Sequence, residues 1–155
     1  MKKFVKNFLP YTLIAMAVLF INLFILRFSF VSGRSMEPTL HDGNCVLLWE
    51  LAYRPLAGDI VITDSENPIK SHLIKRIIAT AGQHVRLSGN QVYVDDILLE
   101  EPYLGEIAVY EDMDFIVPDN TCFLMGDNRN HSRDSREIGC LSYEHILGKV
   151  LFRLF

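Results

Sequence analysis

The chain reads as a mainly β, antiparallel domain behind a single N-terminal transmembrane helix, and three observations lead there. One uncharged, largely apolar run, Asn7 to Leu26, stands near the N-terminus. Beyond it the apolar residues fall into short runs of β-branched and aromatic character, separated by Gly, Pro, Asn and Ser. Half of the 155 residues are apolar, enough to give one compact domain a core, which excludes a disordered tail.

The first run is sized for a membrane. Its 20 residues extend about 30 Å as a helix, the thickness of the hydrocarbon layer. A cleaved signal peptide is the competitor, but the run is longer than the apolar region of such peptides, and its only Ala-x-Ala, Ala15 to Ala17, lies in its middle. We therefore expect a cytoplasmic tail over residues 1–6, a transmembrane helix over 7–27 and an extracytoplasmic domain over 28–155. Lys2, Lys3 and Lys6 precede the span while Arg27 alone immediately follows it, which sets this orientation. Asn22, inside the span, is expected to cap a local hydrogen bond. Beyond the helix 11 Lys and Arg stand against 19 Asp and Glu, so no basic face suits nucleic acid. Cys45, Cys122 and Cys140 have neither the spacing of a zinc site nor the density of a disulfide scaffold. They read as buried thiols, with one disulfide left open.

The strands follow in order. Asn44 to Leu51 and Asp59 to Thr63 flank the turn-forming Arg54-Pro55-Leu56-Ala57-Gly58 and are expected to be neighbouring antiparallel strands. Ser71 to Ala79 alternates so that Leu73, Lys75 and Ile77 share one face and Ile74, Arg76 and Ile78 the other. Gly82 to Leu99 reads as a hairpin series. Asp95 to Asp114 carries eight acidic residues and no basic one, without calcium-loop spacing, and is expected to be a solvated loop. Thr121 to Met125 is a further strand. Ile146 to Phe155 closes the chain, with Phe152 and Phe155 directed either at the sheet or at lipid.

Three places carry chemistry. In Gly33-Arg-Ser-Met-Glu-Pro-Thr-Leu40, Pro38 biases Glu37 away from helix, so Ser35 sits at a bend with its hydroxyl free, as a nucleophile or as an ordinary turn residue. Lys75 is either an edge-strand cation with its head in water or a desolvated amine whose lowered pKa makes it a base. Gly126 to Arg136 concentrates charged residues and serines, either as an exposed loop or as a buried polar network.

Ser-Met-x-Pro-Thr-Leu at 35–40, Arg-Pro-x-x-Gly-Asp at 54–59, Ile-Lys-Arg at 74–76 and Gly-Asp-Asn-Arg-x-x-Ser-x-Asp-Ser-Arg at 126–136 occur in this order. Together they resemble the type I signal peptidases, from about Val31 to the end, and an N-terminal anchor belongs to that family too. The resemblance implies a barrel-like β catalytic domain, its variable β region reduced to about residues 85–115. It implies Ser35 as nucleophile, Lys75 as general base and Ser132 as the group that orients the lysine. Asp134, Arg136 and Arg76 would form a supporting ion-pair network, and Met36 would pack beside the nucleophile. Some members carry a serine where Gly33 stands, so the oxyanion hole would rely on the Ser35 backbone N–H, with Ser32 as a further donor. At the ordinary lysine pKa only about 1 amine in 2,500 is neutral at pH 7, so such a base requires a depressed value. Leu73 and Ile77 supply an apolar reason for one.

The activity implied is removal of signal peptides from exported preproteins at the outer face of the cell membrane. Cuts would follow Ala-x-Ala-type sites, with shallow apolar pockets beside Ser35 and Lys75 accounting for the small residues. Preproteins and membrane lipid are the partners implied; no cofactor or metal is expected. Three rivals stand beside this reading. A Ser/His peptidase would use a histidine where Lys75 stands, and His72 and His131 are off that position. A dedicated peptidase for one exported substrate, such as a pilus subunit, shares every motif. A non-catalytic assembly factor would not need Ser35, Lys75 and Ser132 intact. Self-cleaving repressors share Ser/Lys chemistry but lack the membrane helix.

Overall fold

The structure, a computed structural model, describes residues 8–16, 18 and 26–155. The expected cytoplasmic tail and much of the expected span, Asn22 included, lie outside the described residues. Residues 8–16 are helical, and Phe8, Leu9, Tyr11, Leu13, Ile14 and Met16 are exposed along them. Among the described residues no helix is long and apolar enough to cross a membrane. The expected helix boundary at Arg27 is not observed, because Leu26 and Arg27 open strand β1 (Leu26–Phe30). Leu26, Phe28 and Phe30 alternate with Arg27 and Ser29, a period of two, and all five pair with the next strand, from Leu26↔Trp49 to Phe30↔Cys45.

Among the described residues eleven strands, all paired antiparallel, form two sheets. They are β1, β2 (Cys45–Trp49), β3 (Ile60–Thr63), β4 (Ile74–Thr80), β5 (His84–Ser88), β6 (Gln91–Val94), β7 (Ile97–Leu98), β8 (Met113–Ile116), β9 (Thr121–Met125), β10 (Leu141–Ser142) and β11 (Ile146–Arg153). The seven-stranded sheet runs β1-β2-β11-β3-β4-β9-β10 and the four-stranded sheet β7-β6-β5-β8. The expectation that β2 and β3 are neighbours fails, since β11 lies between them and pairs with both. The turn at 54–58 reverses the chain but does not choose the partner. That choice comes from burial, because Val150 of β11 packs with Val46, Leu48 and Ile62 in one apolar cluster. The alternative of Lys75 on an edge strand is also settled, because β4 is flanked by β3 and β9.

Residues 84–116 supply the smaller sheet. Asp95 and Asp96 both have positive φ, 53° and 62°, and turn the β6–β7 hairpin, a conformation Asp tolerates better than most residues. Val85, Leu87 and Val92 of this sheet share a core with Ile78, Phe123 and Met125 of the larger one, fastening the two together. The acidic stretch is not wholly solvated, since Glu101 forms a nearly buried ion pair with Arg129. All three cysteines are free, Cys45 and Cys122 buried and Cys140 half-buried. Burial pushes the Cys122 thiol up to about 12. At the C-terminus Leu154 N–H donates to Cys45 O and Cys45 N–H to Phe155 O, extending the β2–β11 ladder, while the Phe152 and Phe155 side chains stay in the open.

Candidate active site

Ser35 sits in the turn that follows β1. The turn is closed at its base, where Val31 N–H donates to Asn44 O and Gly43 N–H to Val31 O, at 2.8 and 2.9 Å. Gly33 takes a φ of +89° and donates its N–H to Asp42 Oδ1 at 2.7 Å, a backbone conformation that favours glycine. Val31, Met36 and Leu40 are buried in the cluster with Val46, Leu48 and Ile62, so the turn is plugged into the core by side chains on either side of the serine. Met36 is 1% exposed and lines the cleft beside Ser35.

Across the cleft, β4 delivers Lys75. Its partner across the β3–β4 ladder is Val61, and the residue is only 4% exposed. Nζ donates to Ser35 Oγ at 2.6 Å and to Ile74 O at 3.0 Å. Among the described residues Lys75 has no ion-pair partner. Burial pulls the amine from its ordinary 10.5 down to about 8; Asp134 and Asp127 at longer range act against this and Arg136 with it. The amine is thus within reach of neutrality near physiological pH, and it already touches the one hydroxyl whose proton it would take. Ser35 N–H has no hydrogen-bond partner among the described residues, leaving a donor available beside that hydroxyl.

Within 126–136 Asp127, Arg129 and Asp134 are buried in a polar network, while Asn130, His131 and Arg133 stay exposed. Arg76 holds Asp127 in a fork, Nε to Oδ1 at 2.8 Å and Nη2 to Oδ2 at 2.6 Å, with Thr39 Oγ1 donating to Oδ2 at 2.5 Å. Asp134 accepts from Gly126 N–H at 2.9 Å and from Arg136 Nε at 2.8 Å, and it caps the short helix Ser135–Ile138. Arg136 Nη2 also donates to Arg129 O at 2.7 Å. These pairs join three of the sequence motifs, 35–40, 74–76 and 126–136, into one backing for the serine turn.

One contact differs from expectation, and two residues carry contacts that the sequence did not single out. Ser132 is brought to the site, yet its hydroxyl is not bonded to Lys75; it is buried and has no hydrogen-bond partner among the described residues. It points at Gly126, where an added Cβ would lie 2.3 Å from Ser132 Oγ and 2.4 Å from Ser35 O. Only glycine lets the two serines approach this closely. Asn128 escaped the sequence reading: its N–H donates to Ser35 O at 3.0 Å and its Nδ2 to Arg34 O at 3.1 Å, fixing two consecutive carbonyls of the turn. Asp127 escaped it too. Both stand inside the Gly-Asp-Asn-Arg motif, and that position was the available signal. Ser32 is exposed in the cleft and makes no hydrogen bond to Ser35 or Lys75.

The cleft itself encloses about 380 Å³. Ser29 to Ser32 form one wall, Ile69 and Ser71 to Ile74 the other, with Ser35 and Lys75 between them. An antiparallel β domain that sets a serine hydroxyl against a buried amine, where other hydrolases set imidazole, defines a class of serine peptidase.

Comparison with known proteins narrows the class. The sequence profile of the family "Signal peptidase, peptidase S26" matches residues 1–155. "Probable signal peptidase I-1" of Synechocystis sp. is 33% identical over 164 residues, covering 99% of this chain and 84% of its own length. "Signal peptidase I" of Bacillus licheniformis is 33% identical over 151 residues, 88% of this chain and 81% of that protein. The crystal structure of a signal peptidase I from Enterococcus faecalis V583 matches with a TM-score of 0.54 and 28% identity, over 64% of this chain and 98% of that one. The chain belongs to the signal peptidase I family, peptidase S26, and is a serine endopeptidase that removes signal peptides.

Proposed function

We propose that Ser35 is the nucleophile and Lys75 the general base with which this peptidase cuts exported preproteins. The observation that carries this is the 2.6 Å contact between Lys75 Nζ and Ser35 Oγ in a buried setting. Lys75 takes the hydroxyl proton as Oγ attacks the scissile carbonyl, and the carbonyl oxygen becomes an oxyanion facing the Ser35 N–H, with Ser32 as a second donor from the cleft wall. The ammonium then protonates the leaving amine, which departs as the new N-terminus of the mature protein, and an acyl-enzyme remains on Oγ. Neutral again, Lys75 draws a proton from water, the hydroxide attacks the ester, Lys75 returns that proton to the departing Ser35 Oγ, and the signal peptide leaves as a carboxylic acid that ionises to solvent.

Ser132 serves as the group that orients the lysine. Its buried, unpartnered hydroxyl is free to accept from the amine once substrate displaces the resting contacts. Arg76, Asp127, Asp134 and Arg136 act as struts for this arrangement. The walls of the cleft suit an extended peptide with small residues, typically Ala, at the first and third positions before the cut.

The catalytic domain works at the outer face of the membrane, anchored by the apolar N-terminal segment. The apolar, exposed helix 8–16 supports an anchor in lipid. Phe28, Leu47 and Phe152 are paired across three neighbouring strands, and Phe28 and Phe152 are exposed there, which supports contact with the membrane surface near the cleft. Sharing a membrane with its substrate raises the effective concentration of the cleavage site.

The test is cleavage of a model preprotein ending its signal in Ala-x-Ala by the detergent-solubilised full chain, beside Ser35→Ala and Lys75→Ala. Cleavage at that site by the wild type, lost in both variants, is the expected result. Activity surviving either substitution would refute the assigned roles, and an inactive wild type whose Ser35 still takes an acylating inhibitor would point to a dedicated substrate.

A further inference from the structure

Two buried polar side chains take no part in the chemistry above. Thr63 ends β3 at 0% exposure, and Asn67 lies four residues further on at 1%. Both belong to the connection between β3 and β4, whose far end delivers Lys75. Asn67 Nδ2 donates to Ser71 O at 2.7 Å, to Asp64 O at 2.5 Å and to Thr63 Oγ1 at 3.1 Å, while its Oδ1 accepts from Ile69 N–H at 3.0 Å. Thr63 then ties the other end: its Oγ1 accepts from Leu73 N–H at 3.1 Å, its N–H donates to Leu73 O at 2.9 Å, and its carbonyl accepts from His72 Nδ1 at 2.9 Å.

Every residue fastened in this way at the distal end of the connection, Ile69, Ser71, His72 and Leu73, lines the cleft that holds Ser35 and Lys75. None of the bonds reaches Ser35 or the Lys75 amine. A buried amide that satisfies four backbone and side-chain groups is expensive to leave unmade, so it holds the connection in one conformation. Ten residues of connection without such a pin would sample many.

We propose that Asn67 is the positioning residue that shapes the substrate-selecting wall of the cleft, so that its loss relaxes the choice of cleavage site while leaving the Ser35–Lys75 pair reactive. The inference rests on reading the cleft as the preprotein-binding groove. Discrimination by shape in an apolar subsite is worth about 10- to 200-fold per methylene, and it requires a wall that does not yield.

The experiment compares kcat/KM of the full-length, detergent-solubilised protein for two preproteins that differ only in Ala or Val at the third position before the cut. Wild type, Asn67→Ala and Lys70→Pro are assayed. Lys70 is exposed, and its N–H bonds to Asn67 O at a φ of 56°, so proline there disturbs the same connection without opening the core. Acylation of Ser35 by a small active-site inhibitor is followed in parallel. Val92→Ala, a cavity in the smaller sheet, serves as a destabilised control.

In both connection variants the preference for Ala over Val is expected to fall about tenfold or more, through KM, while Ser35 acylation stays within about twofold. The control keeps the wild-type preference despite its lower stability. An unchanged preference in Asn67→Ala or Lys70→Pro overturns the inference, as does acylation that falls in step with cleavage or a control that loses preference equally. Wild-type protein that cuts neither preprotein overturns the reading of the cleft, and the inference with it.

Discussion

Strand β4 carries two adjacent cations with opposite fates. Lys75 is buried against Ser35 and Ile74 O with no ion-pair partner among the described residues, while Arg76 is locked in a fork with Asp127 and lies over the ring of Tyr103 at 3.9 Å. The unpaired amine is pushed down to about 8. On the other side of the site, Arg136 is paired in the same manner with Asp134, and Arg129 with Glu101. The difference teaches what burial does to a positive charge. Desolvation without a carboxylate in contact converts a cation into a base, whereas desolvation with one in contact makes a strut.

The largest effect should come from making Lys75 resemble its neighbour. Lys75→Arg keeps a cation in place but one that cannot lose its proton, and preprotein cleavage should drop on the order of 10³-fold or more with the fold retained. An active Lys75→Arg enzyme would break the comparison outright. Next, removing the partner from the strut exposes the cost of an unpaired arginine. Asp127→Ala should lower unfolding free energy by about 3–5 kcal/mol, visible as a fall in Tm of about 10 °C by calorimetry. If Tm barely moves, the network is not what holds the turn.

The pH dependence sharpens the contrast further. With an amine near 8, about one Lys75 in ten is neutral at pH 7, so kcat/KM should climb about tenfold between pH 7 and pH 9 and level off above. The same group also bears on stability. Between pH 8 and 10.5 the unfolded chain holds a proton that the folded one has released, so stability rises with pH across that window and the burial penalty is present in full below it. A kcat/KM profile flat from pH 6.5 to 9 would remove Lys75 as the base. The smallest effect is expected at Arg133, whose pair with Glu137 is more than half exposed on both sides. Arg133→Ala should leave Tm within about 2 °C by thermal denaturation, because water screens and solvates that pair. A larger fall would mean that exposed pairs carry weight here as well.

Legibility in the sequence followed the range of the forces involved. Strands β2, β3, β4 and β9 were readable within a residue or a few of their ends, since alternation and turn residues are local signals. Ser35 and Lys75 stood out in the sequence as candidates because each lies in a short local motif, whereas their 2.6 Å contact across 40 residues is not a local signal. The partnership of Arg76 with Asp127 was not, as 51 residues separate them and the motif contains two aspartates of equal chemical claim. Glu101 was read as one of eight solvated acids; only its approach to Arg129 distinguishes it.

By itself the sequence determined a β-rich domain behind an apolar segment, a serine at a bend, a lysine among aliphatic residues and a charged loop after a strand. Each of these depends on neighbours within a few residues. The tertiary structure alone decided that β11 enters between β2 and β3, that Ser132 Oγ is left without a partner, that Asn128 clamps the turn, and which aspartate each arginine takes. These depend on which surfaces are removed from water together. That choice is made by the packing of the whole chain, and its burial of Lys75 lowers an ordinary, strongly basic amine to a pKa of about 8.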